Sequence, residues 1–217
     1  MLCTKCNEKI KPIVALDIDG TLGDYHGHLI NFATQYLQRE HGASTYDGTI
    51  PFKDWFAHAF DITVEEFRQV KLAYRQGGLK RSMPLYPGAV ELTLDLSSLG
   101  AEIWLTTTRP YLRLDGVDPD TRFWLDHHGF FYDHLLYDEN KYVVLANRTG
   151  WGRTVAVLDD LPEEISQADH VFGPTIGILR HNMYNLGVRS RVSVGELGSA
   201  GELIGLRVGR WEENHGV

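Results

Sequence analysis

Ile13-Val14-Ala15-Leu16 runs directly into Asp17-Ile18-Asp19-Gly20-Thr21, so that a short apolar segment ends in two carboxylates. The four apolar residues predict a buried strand, and both acids then lie where this strand gives way to a loop. Ligands of α/β sheets bind at such strand ends. Two acids one residue apart suit metal binding together with acid/base or nucleophilic chemistry. An ordinary Asp-Gly turn after a strand is the alternative that these residues alone leave open.

Other polar residues also follow strand-like segments. Asp159-Asp160 closes the apolar run 155–158, and Thr106-Thr107-Thr108-Arg109 closes the run 103–105. Between them, the charged loop 138–141 ends in Lys141. If the strands are parallel neighbours, the carboxylates, hydroxyls and cations meet at one edge of the sheet. Such a set of side chains would hold Mg²⁺ against a phosphoryl group and neutralise the charge on its oxygens.

With these residues in this order, the chain resembles the haloacid dehalogenase-type phosphohydrolases over residues 12–186. Asp17 to Thr21 match the DxDGT motif of that superfamily, and Thr107 best matches its strand-end Ser or Thr. Lys141 matches the motif lysine, and Asp159-Asp160 matches the final acidic pair. The resemblance implies an α/β fold: a Rossmann-like core with a parallel sheet flanked by helices, and a small helical cap inserted after the first motif.

The resemblance also implies a role for each motif residue. Asp17 would be the nucleophile that forms an aspartyl-phosphate, and Asp19 would protonate the leaving oxygen and later activate water. Mg²⁺ would be held by Asp17, by the backbone carbonyl of Asp19 and by an acid of the Asp159/Asp160 pair. Substrate contacts are expected from the following residues: Gly20, Thr21, Thr108 and Arg109.

General chemistry agrees with these roles. A carboxylate nucleophile divides hydrolysis into two easier steps, provided that a cation suppresses its repulsion of the phosphate. Asp19 must be protonated to act as an acid, and a neighbouring carboxylate is expected to raise its pKa in that direction. Thr107 and Lys141 would position and neutralise the transferred group. Thr107 is favoured because it follows four strand residues, while Thr106 and Thr108 remain alternatives.

Two branches of the superfamily are similar to this chain. Residues 83–89 and 103–110, the spacing of Asp138 and Lys141, and Tyr184-Asn185 resemble 5′(3′)-deoxyribonucleotidases. The stretches 107–109 and 121–125 instead resemble the phosphatase domain of polynucleotide kinase-phosphatases, which acts on 3′-phosphate ends. No GxxxxGK[ST] phosphate loop is present, which excludes a kinase activity of that type. A helical lid would obstruct a polymer, so nucleoside monophosphates are the favoured substrates.

Three alternatives remain at this point. The substrate could be a polynucleotide 3′-phosphate or another small phosphometabolite. A non-catalytic phosphate-binding module would be expected to have lost one of the motif acids, and none is lost. Dehalogenation would need no metal, and the acidic residues argue against it.

Length, composition and charge limit the kinds of binding partner and the cellular location that are expected. The chain has 217 residues, of which 43% are hydrophobic and 23% charged, and a formal net charge of −8. This is the composition of a soluble globular protein. The negative charge argues against an extended nucleic-acid surface, although it allows a local basic patch at the mouth of the site. Neither a membrane-spanning run nor a signal peptide is recognised, so a cytoplasmic location is expected. A homodimer is left open.

The domain organisation follows from the motifs. Residues 1–11 form an N-terminal leader, residues 12–23 and 85–217 the core domain, and residues 24–84 the helical cap insertion, called the insert below. The leader contains Cys3 and Cys6 in a CxxC pattern, which is half of a zinc ribbon without its second half. His26 and His28 or a second subunit could complete a zinc site, but a reduced leader without zinc is favoured.

Overall fold

The computed structural model describes residues 10–42, 46, 49–109 and 113–216. Cys3 and Cys6 lie outside these residues. The described strands are β1 (Ile13–Asp17), β2 (Glu102–Thr107), β3 (His134–Tyr137), β4 (Thr154–Asp159), β5 (Gly177–Arg180) and β6 (Ser193–Val194). The α-helices are α1 (Tyr25–Leu37), α2 (Phe52–Phe60), α3 (Val64–Gln76), α4 (Ala89–Ser98), α5 (Val117–His128), α6 (Lys141–Thr149), α7 (Pro162–Phe172) and α8 (Leu197–His215).

The strands form one sheet in the order β3-β2-β1-β4-β5-β6, and all neighbouring pairs are parallel. β1 lies between β2 and β4, and every residue of β1 is buried. A parallel strand covered on both faces needs an unbroken apolar run, which is what residues 13–16 supply. The α/β Rossmann-like fold expected from the sequence is therefore confirmed.

Alternate residues of β1 pack into two hydrophobic clusters on opposite faces of the sheet. Val14 and Leu16 belong to the larger cluster, which includes buried side chains of α4 and α8. Ile13 and Ala15 belong to the smaller one, together with Tyr142 of α6. The last helix of the core, α8, packs in the larger cluster through Ile204 and Val208. None of the helices in the described ranges combines the length and the apolar character that crossing a membrane requires.

The insert is helical, as predicted. It contains α1, α2, α3 and a short 3₁₀ helix, Leu79–Ser82. The pattern Thr63-x-x-Glu66 predicts a capping box, and the structure has one at the start of α3. The Thr63 hydroxyl accepts from the Glu66 amide, and the Glu66 carboxylate accepts from the Thr63 amide. The two ends of the insert meet, because the Asp24 amide donates to the Pro84 carbonyl at 2.8 Å. The division into core and cap stays a prediction.

Candidate active site

The sheet brings most of the predicted site residues together. Asp17 and Asp159 end the adjacent strands β1 and β4, and Lys141 is the first residue of α6. The Lys141 ammonium lies 2.5 Å from Asp17 Oδ1 and 2.7 Å from Asp159 Oδ2. All three side chains are buried. Residues 124 positions apart in the chain thus form one charged cluster at the carboxyl edge of the sheet.

Three carboxylates form a potential metal site. Oxygen atoms of Asp17, Asp159 and Asp160 lie within 4.8 Å of one another. Burial and the neighbouring acids raise the pKa of Asp17 despite the opposing effect of Lys141, and they raise that of Asp160 to about 7. Lys141 has a raised pKa, because Asp159 and Asp17 outweigh its burial. One lysine thus faces three acids, and a divalent cation with oxygen ligands would balance the excess negative charge.

Hydrogen bonds from outside the predicted set orient these acids. The Tyr142 hydroxyl donates to Asp159 Oδ2 at 2.5 Å, and the Tyr184 hydroxyl donates to Asp160. The Asn185 side chain donates to the carbonyls of Asp160 and Arg180, at 2.7 and 2.9 Å. No pattern in the sequence pointed to Tyr142, whereas Tyr184-Asn185 was part of the family resemblance. These residues fix the carboxylates in place, as outer groups commonly do around metal ligands.

Thr21 and Gly20 lie against Asp160, and their assignment to substrate binding stays a prediction. Thr21 is buried, and its hydroxyl donates to Asp160 Oδ1 at 3.1 Å. Gly20 has a φ of 97°, and a Cβ there would lie 2.4 Å from Asp160 Oδ2. Its amide donates to the Gly23 carbonyl, and its own carbonyl accepts from Asn182. The Thr21 hydroxyl and both backbone groups of Gly20 are thus bonded within the protein, and both residues support the position of Asp160.

Asp19 differs most from its predicted environment. Arg109 binds its carboxylate with two hydrogen bonds, of 2.9 and 2.6 Å, and the Lys80 ammonium lies 2.5 Å from Oδ1. Although burial raises the pKa of Asp19, these two cations hold it well below its usual range. The expectation of a raised pKa was wrong, because cations rather than Asp17 surround this carboxylate. The Asp19 carboxylate also lies outside the three-acid group.

The three threonines at the end of β2 differ in their surroundings. Thr107 is buried, and its hydroxyl oxygen accepts from the Arg109 amide at 3.3 Å. Thr106 is the register partner of Asp17, and its buried hydroxyl has no hydrogen-bond partner among the described residues. Thr108 is exposed. The assignment of Thr107 and Thr108 to phosphate and substrate contact therefore stays a prediction, with Thr106 as a close competitor.

An aromatic cleft of about 470 Å³ adjoins Asp160. Its lining includes Tyr46 and Phe52 of the insert and Tyr184 of the core. His26 also lines the cleft, with its ring centroid 4.3 Å from that of Tyr184 and 4.5 Å from that of Phe52. Burial lowers the pKa of His26 to about 3, so its imidazole is neutral at physiological pH. The cleft offers ring faces beside a candidate metal acid.

The three-acid group makes stability depend on pH. The pKa of Asp160, about 7 in the folded protein, exceeds its unfolded value, so stability is lost as pH rises from about 4 through about 7. We expect the metal-free protein to lose about 2–4 kcal/mol of unfolding free energy between about pH 4.5 and pH 8. Mg²⁺ should restore most of it, because the ion stabilises the charged acids.

Chemical denaturation with and without MgCl₂ measures this effect. Asp160→Asn is the control, because it removes the titrating carboxyl and should flatten the pH dependence. A metal-free protein that is equally stable at both pH values and gains nothing from Mg²⁺ would contradict the metal site.

The sequence and the fold of the chain were compared with those of known proteins. No family model matches the chain. A Chlorobaculum tepidum protein named as a candidate 5′(3′)-deoxyribonucleotidase is 26% identical over 167 residues, which span 71% of this chain and 72% of that protein. A haloacid dehalogenase-like hydrolase from Streptococcus pneumoniae has a TM-score of 0.62 at 14% identity, covering 89% of this chain and 98% of its own.

A further solved structure has the same fold. It is a candidate haloacid dehalogenase-type hydrolase, YfnB from Bacillus subtilis, bound to magnesium, with a TM-score of 0.59 at 11% identity. The match covers 90% of this chain and 99% of that one. The chain therefore has the fold of the haloacid dehalogenase-like hydrolases and carries their motif positions in order, which confirms the resemblance and agrees with the hydrolase expected from the sequence.

Proposed function

We propose that this protein is a Mg²⁺-dependent phosphomonoesterase that acts through an aspartyl-phosphate on Asp17, with nucleoside monophosphates as its substrates. The observation that carries the proposal is the contact of Lys141 with both Asp17 and Asp159, beside the third acid, Asp160. This arrangement places a nucleophilic carboxylate, a fixed cation and a set of metal-ligand oxygens within one buried cluster.

In the first step, a carboxylate oxygen of Asp17 attacks phosphorus, and the bond from phosphorus to the leaving oxygen breaks. Lys141 holds the attacking carboxylate and neutralises charge on the transferred group. Mg²⁺, held by Asp17, Asp159 and Asp160, would offset the repulsion between this carboxylate and the phosphate. The backbone carbonyl of Asp19 is the further ligand implied by the resemblance.

In the second step, water attacks the phosphorus of the aspartyl-phosphate and frees Asp17. Asp19 is ionised in the observed arrangement and is therefore suited to take the proton from this water. Protonation of the leaving oxygen by Asp19 would first require Arg109 or Lys80 to move away from its carboxylate. The predicted acid role of Asp19 thus depends on a rearrangement that substrate binding would have to produce.

Two observations favour a nucleoside as the leaving group. The relative from Chlorobaculum tepidum is named as a candidate 5′(3′)-deoxyribonucleotidase. The aromatic cleft beside Asp160 also offers the Tyr46 and Tyr184 rings, whose centroids are 5.6 Å apart and nearly parallel. Aromatic faces in a partly enclosed cleft stack on nucleobases. In contrast, Trp55, Phe56 and Phe60 are buried and serve as packing within the insert.

Phosphate release across a panel of esters tests the proposal. The panel contains deoxyribo- and ribonucleoside 5′- and 3′-monophosphates, a 3′-phosphorylated oligonucleotide, sugar phosphates and an aryl phosphate, each with Mg²⁺ and with EDTA. We expect Mg²⁺-dependent turnover with at least a tenfold preference, in kcat/KM, for a subset of the nucleoside monophosphates.

Other outcomes would assign a different function. Preference for the oligonucleotide would indicate a polynucleotide 3′-phosphatase, and preference for sugar phosphates a different small-molecule phosphatase. Turnover that EDTA leaves unchanged would contradict the metal dependence. No turnover of any ester would favour the phosphate-binding module. The cytoplasmic location and the homodimer remain separate predictions.

A further inference from the structure

Two basic side chains bind the Asp19 carboxylate, one from the insert and one from the segment after β2, and two more lie on helix α3 of the insert. Lys80 and Arg109 both bind Asp19 directly. Lys71 and Arg75 lie on α3, which packs against the short 3₁₀ helix that carries Lys80. Burial and the Arg75 guanidinium lower the pKa of Lys71 to about 8, against a raising effect of Asp19. We call Lys71, Arg75, Lys80 and Arg109 the basic cluster.

The basic cluster contains more positive charge than its protein partners balance. Arg109 already balances the charge of Asp19 and binds both of its oxygens, so Lys80 is a second basic group on the same carboxylate. Burial and the neighbouring Arg109 lower the pKa of Lys80 even though Asp19 favours its charged form, as expected for a cation without a matching anion. The Lys80 ammonium has three donors but only one hydrogen-bond acceptor among the described residues, and its other close contact is the Tyr25 ring at 3.9 Å. Lys71 and Arg75 have no ion pair within the described ranges.

Lys141 provides the contrast within the same site. It is as buried as Lys80, but it contacts two carboxylates and lies beside a third. The acids surround Lys141 on the Asp17 side, where Mg²⁺ is proposed to bind, whereas the surplus cations lie on the Asp19 side. Buried cations without matching anions are costly, and a bound anion would remove that cost. With a net charge of −8 for the whole chain, the cluster is a local feature.

We propose that the basic cluster binds a second phosphate group, carried by the leaving group of the substrate as a monoester or a diester. This inference rests on the proposed function, in which the scissile phosphate lies at Asp17 and Lys141, and Asp19 adjoins the leaving oxygen. Groups beyond Asp19 then face the leaving group. Lys and Arg side chains are the usual ligands of phosphate oxygens. The favoured substrates are therefore nucleotides with a second phosphate.

Steady-state kinetics on three substrates tests this inference: a nucleoside 5′-monophosphate, the matching 3′,5′-bisphosphate and a 5′-phosphorylated dinucleotide. We expect the wild-type kcat/KM to be about tenfold or more higher for at least one doubly charged substrate, mainly through a lower KM. The bisphosphate and the dinucleotide distinguish a phosphomonoester from a phosphodiester as the second group. Raising the salt concentration should reduce the preference.

Lys71→Met and Lys80→Met should each reduce that preference severalfold, and Lys80→Arg should restore most of what Lys80→Met removes. Lys71 is only half-buried, so its variant tests the inference even if Lys80→Met fails to fold. Arg68→Met is the matched control, because Arg68 lies on the same helix but is exposed and paired with Glu65. It should leave the preference unchanged.

Equal kcat/KM values for all three substrates, or a preference that both methionine variants retain, would overturn the inference while leaving the proposed phosphomonoesterase intact. Failure of the wild type to hydrolyse any phosphomonoester, the aryl phosphate included, would instead contradict the proposed function itself. The two failures are therefore distinguishable.

Discussion

Asp17→Asn should lower kcat by at least about a thousandfold, because an amide cannot form the acyl phosphate on which both steps depend. The substitution keeps the shape of the side chain and should leave the fold intact. Removing one of three crowded acids should in fact raise the unfolding temperature of the metal-free protein, since burial and the acid neighbours already disfavour ionised Asp17. Phosphate-release kinetics and thermal unfolding, measured on the same preparation, give both quantities.

The control for this prediction is Asp118→Asn, which changes an exposed aspartate on α5 outside the site. It should leave kcat close to that of the wild type. Turnover by Asp17→Asn near the wild-type rate would refute the nucleophile assignment. If the Asp17→Asn protein is unfolded, its loss of activity is a loss of structure and does not support the assignment.

Lys141→Met should have the second largest effect, about a hundredfold to ten-thousandfold in kcat at saturating Mg²⁺. The ammonium fixes Asp17 at 2.5 Å and Asp159 at 2.7 Å, so its loss removes both the orientation of the nucleophile and a cation facing the transferred group. Methionine retains the apolar stem of the side chain within its buried site. Single-turnover kinetics separates the chemical step from substrate binding.

Arg148→Met is the matched control for Lys141→Met, because Arg148 lies at the other end of α6 and is exposed. Its kcat should be that of the wild type. If Lys141→Met turned over at the wild-type rate, the lysine would have only a packing role.

The sheet and its functional edge could be predicted because they depend on short-range patterns. Each buried parallel strand needs a continuous apolar run, and residues 13–16 and 155–158 supply one directly before an acidic pair. Thr63 and Glu66 predicted the start of α3 for a similar reason, since both partners of a capping box lie within one turn.

The partners of the site residues depend on long-range packing and were not predictable. Lys80 lies 61 positions from Asp19 in the chain, and no local pattern indicates that its ammonium reaches that carboxylate. The pKa expected for Asp19 was wrong for this reason. His26 likewise packs against the rings of Phe52 and Tyr184, which belong to distant segments of the chain. Residue types at the strand ends indicated the chemistry, but their ion pairs follow from the assembled fold.

The most direct test of the central claim is to trap the phosphorylated enzyme. Wild-type protein and Mg²⁺ are mixed with a ³²P-labelled phosphomonoester that the panel identifies as a substrate, and the reaction is quenched in acid during turnover. The protein is then digested, and its labelled peptides are mapped by mass spectrometry. We expect one hydroxylamine-sensitive phosphoryl group on the wild-type peptide that contains Asp17. The corresponding peptide of the Asp17→Asn protein should carry none. Phosphate on another residue would contradict the aspartyl-phosphate on Asp17. Steady turnover without any phosphorylated enzyme, under conditions that slow the second step, would contradict it as well.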